Sequence, residues 1–324
     1  MLYRLPASVY ATIRHDFNRH ALRASLRSRS VLAPVSHQFP SVFASSYAVN
    51  GLLPSITQHA LAPTRETSEA LLARLALFAR QPRAFSQILV IVDDLAPGAE
   101  ALAMACKDAG PTVRALRVRL NGIEAAFDAM LEVGKIVGDE AGARARVVRI
   151  RDELFSLGEH VNPFTLGPSV VVIESVHLLR IAGWRMPQLV ERAGCTHPAN
   201  ATQMPDNHGA AAGPQQVHRV AGGPIETTIE QLAAVGADRL VLCVPGLSTA
   251  EALVHAREHA SGLWSLRAVR LGHAAVVDGR GSFYDCGDGT ARALAWLIAW
   301  TQNVPALFPK ELDWRGVQSE GVLA

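Results

Sequence analysis

Glu174 and Trp184 are the residues of this chain best placed to do chemistry, because each stands at the edge of a buried element. Glu174 ends the all-apolar run Val170-Val171-Val172-Ile173, and Trp184 stands in the short loop before a helix opened by Pro187 and stopped at Gly194. A run apolar at every position is the pattern of a strand covered on both faces, the habit of parallel sheets. Proline in the first turn and glycine after the last are ordinary helix punctuation. The pair therefore sits where a strand gives way to a helix, the usual ligand position in an open α/β sheet. An indole covers the face or edge of a large apolar ligand, and a carboxylate accepts from its amide groups. The plainer alternative is that Trp184 packs an edge and Glu174 caps the following helix.

Further candidates are spread along the chain. His37, in the loop Val35 to Pro40, offers an imidazole that could ligate a metal centre. As a surface hydrogen-bonding residue it would need no ligand at all. Asp93 and Asp94 follow the strand Gln87 to Val92, where paired carboxylates could do acid/base work, hold a cation, or cap the next helix. Tyr284 lies in the loop Ser282 to Asp285, ahead of the last helix. Cys195, His197, His208 and His218 share one segment, but their spacing matches no compact zinc pattern. Neither a strand-borne GxGxxG, a P-loop nor a GxSxG is present. Nothing in the sequence brings Ser36, His37 and Asp93 together, so no catalytic residue is assigned and a non-enzyme is expected.

Composition narrows the class. The 324 residues are enough for two domains, and 49% hydrophobic with 19% charged residues describes an ordered globular chain. A net charge of +2 with a pI of 8.4 is too mild for a nucleic-acid partner. No apolar run reaches the roughly 18–20 residues needed to span a bilayer. Cys106, Cys195, Cys243 and Cys286 are widely spaced, which suits unpaired thiols in a reducing compartment. Between Met1 and Arg65 the only acid is Asp16, whereas Arg4, Arg14, Arg19, Arg23, Arg27 and Arg29 are scattered among Ser and Ala. That composition fits an organelle transit peptide and equally a basic, solvated helix; it lacks the apolar core of a secretory signal. The expected location is therefore intracellular, either cytoplasmic or imported into a mitochondrion or plastid, and not secreted.

Strands and helices alternate through the rest. A strand to Asp93 leads to a helix over Glu100 to Ala109, a strand over Thr112 to Val118, and a helix from Gly122 to Gly138. A long helix from Asp139 to about His160 precedes the strand at Val170. Thr227 and Glu230 are spaced as a capping box, Arg239 to Val244 is apolar, and Ser248 caps Thr249 to Ala260. A short strand over Ala274 to Val277 and a helix from Gly289 close the pattern. Such alternation implies parallel sheets covered by helices.

Several of these segments resemble the cobalamin-binding branch of the class III periplasmic-type substrate-binding proteins. Gly183-Trp184-Arg185-Met186-Pro187 with Gln188 to Gly194 is similar to that family's Gly-x-Trp-Met-Pro loop and "ELVELAG"-like helix. Val35 to Pro40 resembles its "VSHECDYP" loop, Ile229 to Ala234 its "WEELAAADPD" helix, and Trp264 to Gly272 its "WAALRAVRAGRVYLVDG" segment. The resemblance runs from about residue 35 to 310. It implies an α/β fold of two lobes with parallel sheets covered by helices, joined by a single long helix, with the ligand cleft between the lobes. The boundaries it suggests are a basic segment 1–34, an N-terminal lobe 35–138, a linking helix 139–165, and a C-terminal lobe 166–324 with a mobile loop 195–223.

The function this resemblance implies is non-enzymatic binding of a corrinoid (cobalamin-like) or related metal chelate, with Glu174, Trp184, Tyr284, His37, Asp93 and Asp94 lining the cleft. His37 would be the axial ligand if there is one. No cofactor is required beyond a bound cobalamin or other corrinoid as ligand; a small-molecule metal chelate is the expected partner, and a transporter partner is doubtful without an export signal. Two rivals stand beside this reading: a degenerate relative serving as an interaction scaffold, and a tetrapyrrole-modifying or metal-inserting enzyme using Asp93, Glu174 or His177. Gln38-Phe39, Leu95 to Gly98 and Cys286 to Gly289 depart from the family's loops, and the segment from Cys195 to Gly223 is longer and more polar than its counterpart.

Overall fold

The structure, a computed structural model, describes residues 41–44, 88–95, 99–108, 113–203, 221–318 and 321–322. His37 and the loop around it, and the basic segment 1–34, lie outside the described residues. The first part comprises β1 (Ser41–Ala44), β2 (Ile88–Asp93), α1 (Ala99–Asp108), β3 (Val113–Val118), α2 (Ile123–Val137) and α3 (Glu140–Gly158). Next come β4 (Val170–Ser175), β5 (Arg180–Ile181), α4 (Arg185–Arg192), β6 (Ile225–Glu226), α5 (Ile229–Val235), β7 (Arg239–Leu242) and α6 (Thr249–His259). The chain ends with α7 (Arg267–Arg270), β8 (Ala274–Val277), α8 (Asp288–Thr301), β9 (Trp314–Gln318) and β10 (Gly321–Val322).

Among the described residues the strands form two sheets, one in the order β1-β2-β3 and one in the order β10-β9-β8-β7-β4-β5-β6. The first is parallel throughout. In the second, β4, β7 and β8 are parallel, and antiparallel strands flank them on both sides. The expected parallel sheets thus hold for the apolar strands only. The two-residue strands β5 and β6 are too short to carry a periodicity that sequence could reveal.

Strand alternation divides the interior into two cores. Val170 and Val172 of β4 join a core that runs from Leu89 and Ile91 in β2, through Phe127, Met130 and Ile150 of α2 and α3, to Leu294 and Trp296 of α8. Val171 and Ile173 face a second core with Leu240, Leu242, Ala252, Ala256 and Val276. The first core therefore spans both sheets. It is reinforced by polar ties: the amide of Ile123 at the start of α2 donates to Gln188 Oε1 on α4 at 2.8 Å. Glu124 faces Arg151 of α3 at 2.5 Å and Arg192 of α4 at 3.9 Å.

Local punctuation explains most boundaries. Asp139 accepts from the amide of Gly142 and caps α3, and Gly138 closes α2 at φ 81°, a left-handed conformation that favours glycine. Ser248 caps α6 in a capping box with Glu251. The box expected at Thr227 and Glu230 lies one residue later, at Thr228 and Gln231. Thr227 is still extended, its amide donating to Leu179 O at 2.9 Å, so the helix cannot begin there. Pro187 stands at the third position of α4 rather than opening it, a place where the missing N–H still costs no helix bond.

The segment after Cys195 corrects a further expectation. Cys195, His197, Asn200 and Thr202 are buried, not part of an exposed excursion. The amide of Val170 donates to Thr196 O at 2.8 Å, so this stretch continues the sheet edge beside β4. Thr202 is held by the Glu191 carboxylate of α4, while residues 204–220 lie outside the description.

Candidate functional site

The strand ends of both sheets converge on the first turn of α4. Glu174 lies at the end of β4, and the amide of Gly183 donates to its carboxylate. Burial lifts that carboxyl from 4.5 to about 7, against the smaller pulls of the Gly183 amide and Arg180. A carboxyl poised near neutrality can accept from a ligand amide when ionised and donate when protonated. The alternative in which Glu174 caps the next helix does not hold, since the cap position of α4 is Trp184 itself.

Trp184 has φ 55° and ψ −114°, a sparsely populated conformation for a bulky residue. Two contacts hold it there. Its amide donates to Gly222 O at 2.8 Å, and Gly223 passes so close that a Cβ there would come 2.9 Å from the ring's Cζ2. Gly183 is equally constrained, since a Cβ would sit 2.3 Å from the Gly223 carbonyl carbon. The strap 222–224 thus covers part of the indole and leaves it half-buried.

Arg185, the next residue, is the organising group that sequence reasoning missed. Its side chain is buried at 5% exposure and donates to the Asp285 carbonyl at 2.6 Å, to the Phe283 carbonyl, and to Thr290 Oγ1 at 3.3 Å. The guanidinium pins the loop around Tyr284 to the start of α4. Electrostatically it also reaches Asp93, Cys243, Tyr284 and Cys286. A buried arginine is unusual enough to be informative, but its partners lie about a hundred residues away and no local motif announces them.

Tyr284 packs against the first core, and its hydroxyl donates to Cys243 O at 2.9 Å. Burial, with the neighbouring Cys243 and Glu174, holds the phenol well above its usual range. The ring is therefore available as area while the hydroxyl is spoken for. Asp93 is buried at the end of β2, accepts from the Leu95 amide at 3.1 Å, and is raised by burial against the pull of Arg185. Asp94 goes elsewhere: its carboxylate pairs with Arg117 Nε at 2.6 Å in an exposed ion pair that also takes in Glu100. The structure brings Asp93, Trp184 and Tyr284 around Arg185, with Glu174 beside Gly183 and Tyr284; the Asp94 carboxylate turns to Arg117 instead.

Of the candidates in the 195–223 segment, Cys195 and His197 are described and engage other partners, while His208 and His218 lie outside the described residues. Cys195 Sγ points to Ala193 O at 3.7 Å, while His197 Nε2 accepts from the amide of Val172 at 3.5 Å. All four cysteines are buried and unpaired.

No family model matches this sequence, and no curated protein sequence does either. Solved structures do. A periplasmic heme-binding protein from Pseudomonas aeruginosa superposes with a TM-score of 0.55 at 18% identity, over 87% of this chain and 96% of that one. The triscatecholate siderophore-binding protein FeuA from Bacillus subtilis, complexed with ferri-bacillibactin, gives 0.56 at 14% identity, over 85% and 98%. An ABC transporter substrate-binding protein from Listeria monocytogenes gives 0.54 at 12% identity, over 82% and 99%. The chain has the two-lobed fold of the periplasmic-type substrate-binding proteins. In that fold the Arg185 assembly sits where the strand ends of the two lobes meet, and no described helix is long and apolar enough to cross a membrane.

Proposed function

We propose that this substrate-binding fold takes up a large planar metal chelate, a corrinoid or a close relative, between its lobes and does not alter it. The observation that carries the reading is the Trp184-Arg185 joint. A strained tryptophan and a buried arginine stand side by side at the strand ends, with Glu174, Tyr284 and Asp93 around them. Strain of this kind, of order 1–3 kcal/mol, persists where surrounding structure enforces it, and it concentrates at ligand sites. Trp184 and Tyr284 supply apolar area, Glu174 accepts from ligand amides, and Arg185 holds the loop that carries Tyr284. Asp94, engaged with Arg117, is left out of the set. The haem-binding protein and the siderophore-binding protein of the same fold both take metal chelates, which supports the ligand class.

Calorimetric titration of the purified chain with aquocobalamin and with haem, followed in parallel by visible absorption, tests this directly. Binding at micromolar concentrations or tighter, about −8 kcal/mol, is expected for one of the two, weakened strongly in Trp184→Ala. A spectral shift that disappears in His37→Ala would add axial ligation. No heat and no shift with either compound would refute the chelate reading and leave a scaffold role ahead. Chemical change of the bound compound would point to the tetrapyrrole enzyme instead.

A further inference from the structure

His177, His255 and His259 form a second cluster of chemically capable side chains. His255 and His259 are one helical turn apart on α6, so a single face carries both. His177 comes from the turn between β4 and β5. The ring centroids of His177 and His259 are 3.8 Å apart, those of His177 and His255 5.5 Å, and those of His255 and His259 6.0 Å. One ring nitrogen of each lies within 4.8 Å of the others, with His255 half-buried and its two partners exposed. The frame beneath them is fixed. Val176, beside His177, is buried in the second core together with Ala252 and Ala256 of α6. Tyr284, by contrast, packs on the first core, so the cluster and the Arg185 assembly are served by different faces of the sheet.

We propose that these three histidines bind a divalent transition-metal ion, zinc(II) foremost, and leave its fourth coordination position open. Three imidazoles suit zinc, copper and nickel and do not suit the oxygen-seeking magnesium or calcium. Tetrahedral zinc with bonds of about 2.0–2.1 Å sets its nitrogen ligands roughly 3.3 Å apart. Side-chain rotations that move the ring nitrogens by about 1 Å close the present arrangement to that spacing, and two of the three rings are free at the surface to make them. Glu258, whose carboxylate lies 3.8 Å from His259 Nε2, adds a negative charge beside the ion. Three protein ligands with an open position describe an exchangeable or reactive ion rather than a closed structural one. This site does not depend on chelate binding in the cleft.

The test is zinc chloride titrated calorimetrically into the full, tag-free chain after chelator treatment, with cobalt(II) absorption as a second readout of tetrahedral coordination. One equivalent is expected to bind. Loss of an outer partner of a metal site typically weakens it about 10–100-fold, so each of His177→Ala, His255→Ala and His259→Ala should weaken this one by at least about tenfold. His273→Ala, an exposed histidine outside the cluster, should leave binding unchanged. His259→Gln replaces an exposed ring, so it gives the same comparison should His255→Ala loosen α6. The proposal is overturned if the parent chain takes up no zinc, or if the same equivalent survives the double substitution of His255 and His259.

Discussion

Two buried titratable residues are pushed in opposite directions, and the consequences for stability oppose each other. Burial raises Glu174 from 4.5 to about 7 and lowers His197 from 6.5 to about 4. Below pH 4.5 the Glu174 carboxyl is protonated in both folded and unfolded chains. As pH climbs towards 7 the unfolded chain releases a proton that the folded chain keeps, so stability falls, by up to about 3 kcal/mol. His197 mirrors this. Above pH 6.5 it is neutral in both states, and as pH falls towards 4 the unfolded chain takes up a proton that the folded site refuses. Among the described residues its Nδ1 has no hydrogen-bond partner, and burial outweighs the one backbone hydrogen bond that favours the charged ring. Between pH 4.5 and 6.5 the two slopes cancel. Urea unfolding across pH should show Glu174→Gln gaining on the parent as pH rises from about 5 to about 8. His197→Gln, less stable throughout, should recover ground as pH falls. Curves that stay parallel to the parent's would contradict both assignments. In the cleft, a ligand amide donating to Glu174 should bind more tightly as pH rises through about 7, and Glu174→Gln should remove that dependence.

At the level of elements, the long helix α3 is tied to the last helix by charge as well as by packing. Burial works against ionisation of Asp288, yet Arg146 and Arg149 outweigh it and hold its carboxyl below the usual range. Asp288 also stands in the first turn of α8, where a negative charge complements the helix dipole. Asp288→Asn should therefore destabilise the chain by about 1–2 kcal/mol in chemical denaturation. Arg144→Ala, which breaks only the exposed pair with Glu140, should cost less than about 0.5 kcal/mol. These elements were legible in the sequence because they are long and well punctuated: Gly138, Asp139 and Ser248 mark their ends. The places of Glu174 and Trp184 at element edges were legible for the same reason, as an acid after an apolar run and an aromatic before a proline. Arg185 was not, because arginine ordinarily reads as surface and its carbonyl partners belong to a remote loop. The spacing of His255 and His259 lies open in the sequence, but only the fold brings His177 to them. Burial of Cys195 and His197 was hidden behind a polar composition, since edge pairing with β4 is a property of topology.

Across the whole molecule, the continuity of the first core decides how the lobes behave. Leu89 and Ile91 of the three-stranded sheet belong to the same apolar cluster as Val170, Val241 and Trp296 of the other. Gln188 and Glu124 add polar ties across the same boundary. Lobes joined by a flexible hinge could unfold separately and close widely on a ligand. Lobes that share a buried core should do neither. The five tryptophans, Trp184, Trp264, Trp296, Trp300 and Trp314, all lie in the C-terminal half and report chiefly on it and on the core it shares with the first sheet. Far-ultraviolet circular dichroism reports on helices of both halves, including α2 and α3. Urea titrations read by the two signals should therefore superpose in a single transition, as expected when unfolding is cooperative. A helical transition that precedes or trails the tryptophan signal would mean that the lobes unfold apart. The shared core would then be a contact between two independent bodies, and a wide ligand-driven closure would become the natural expectation.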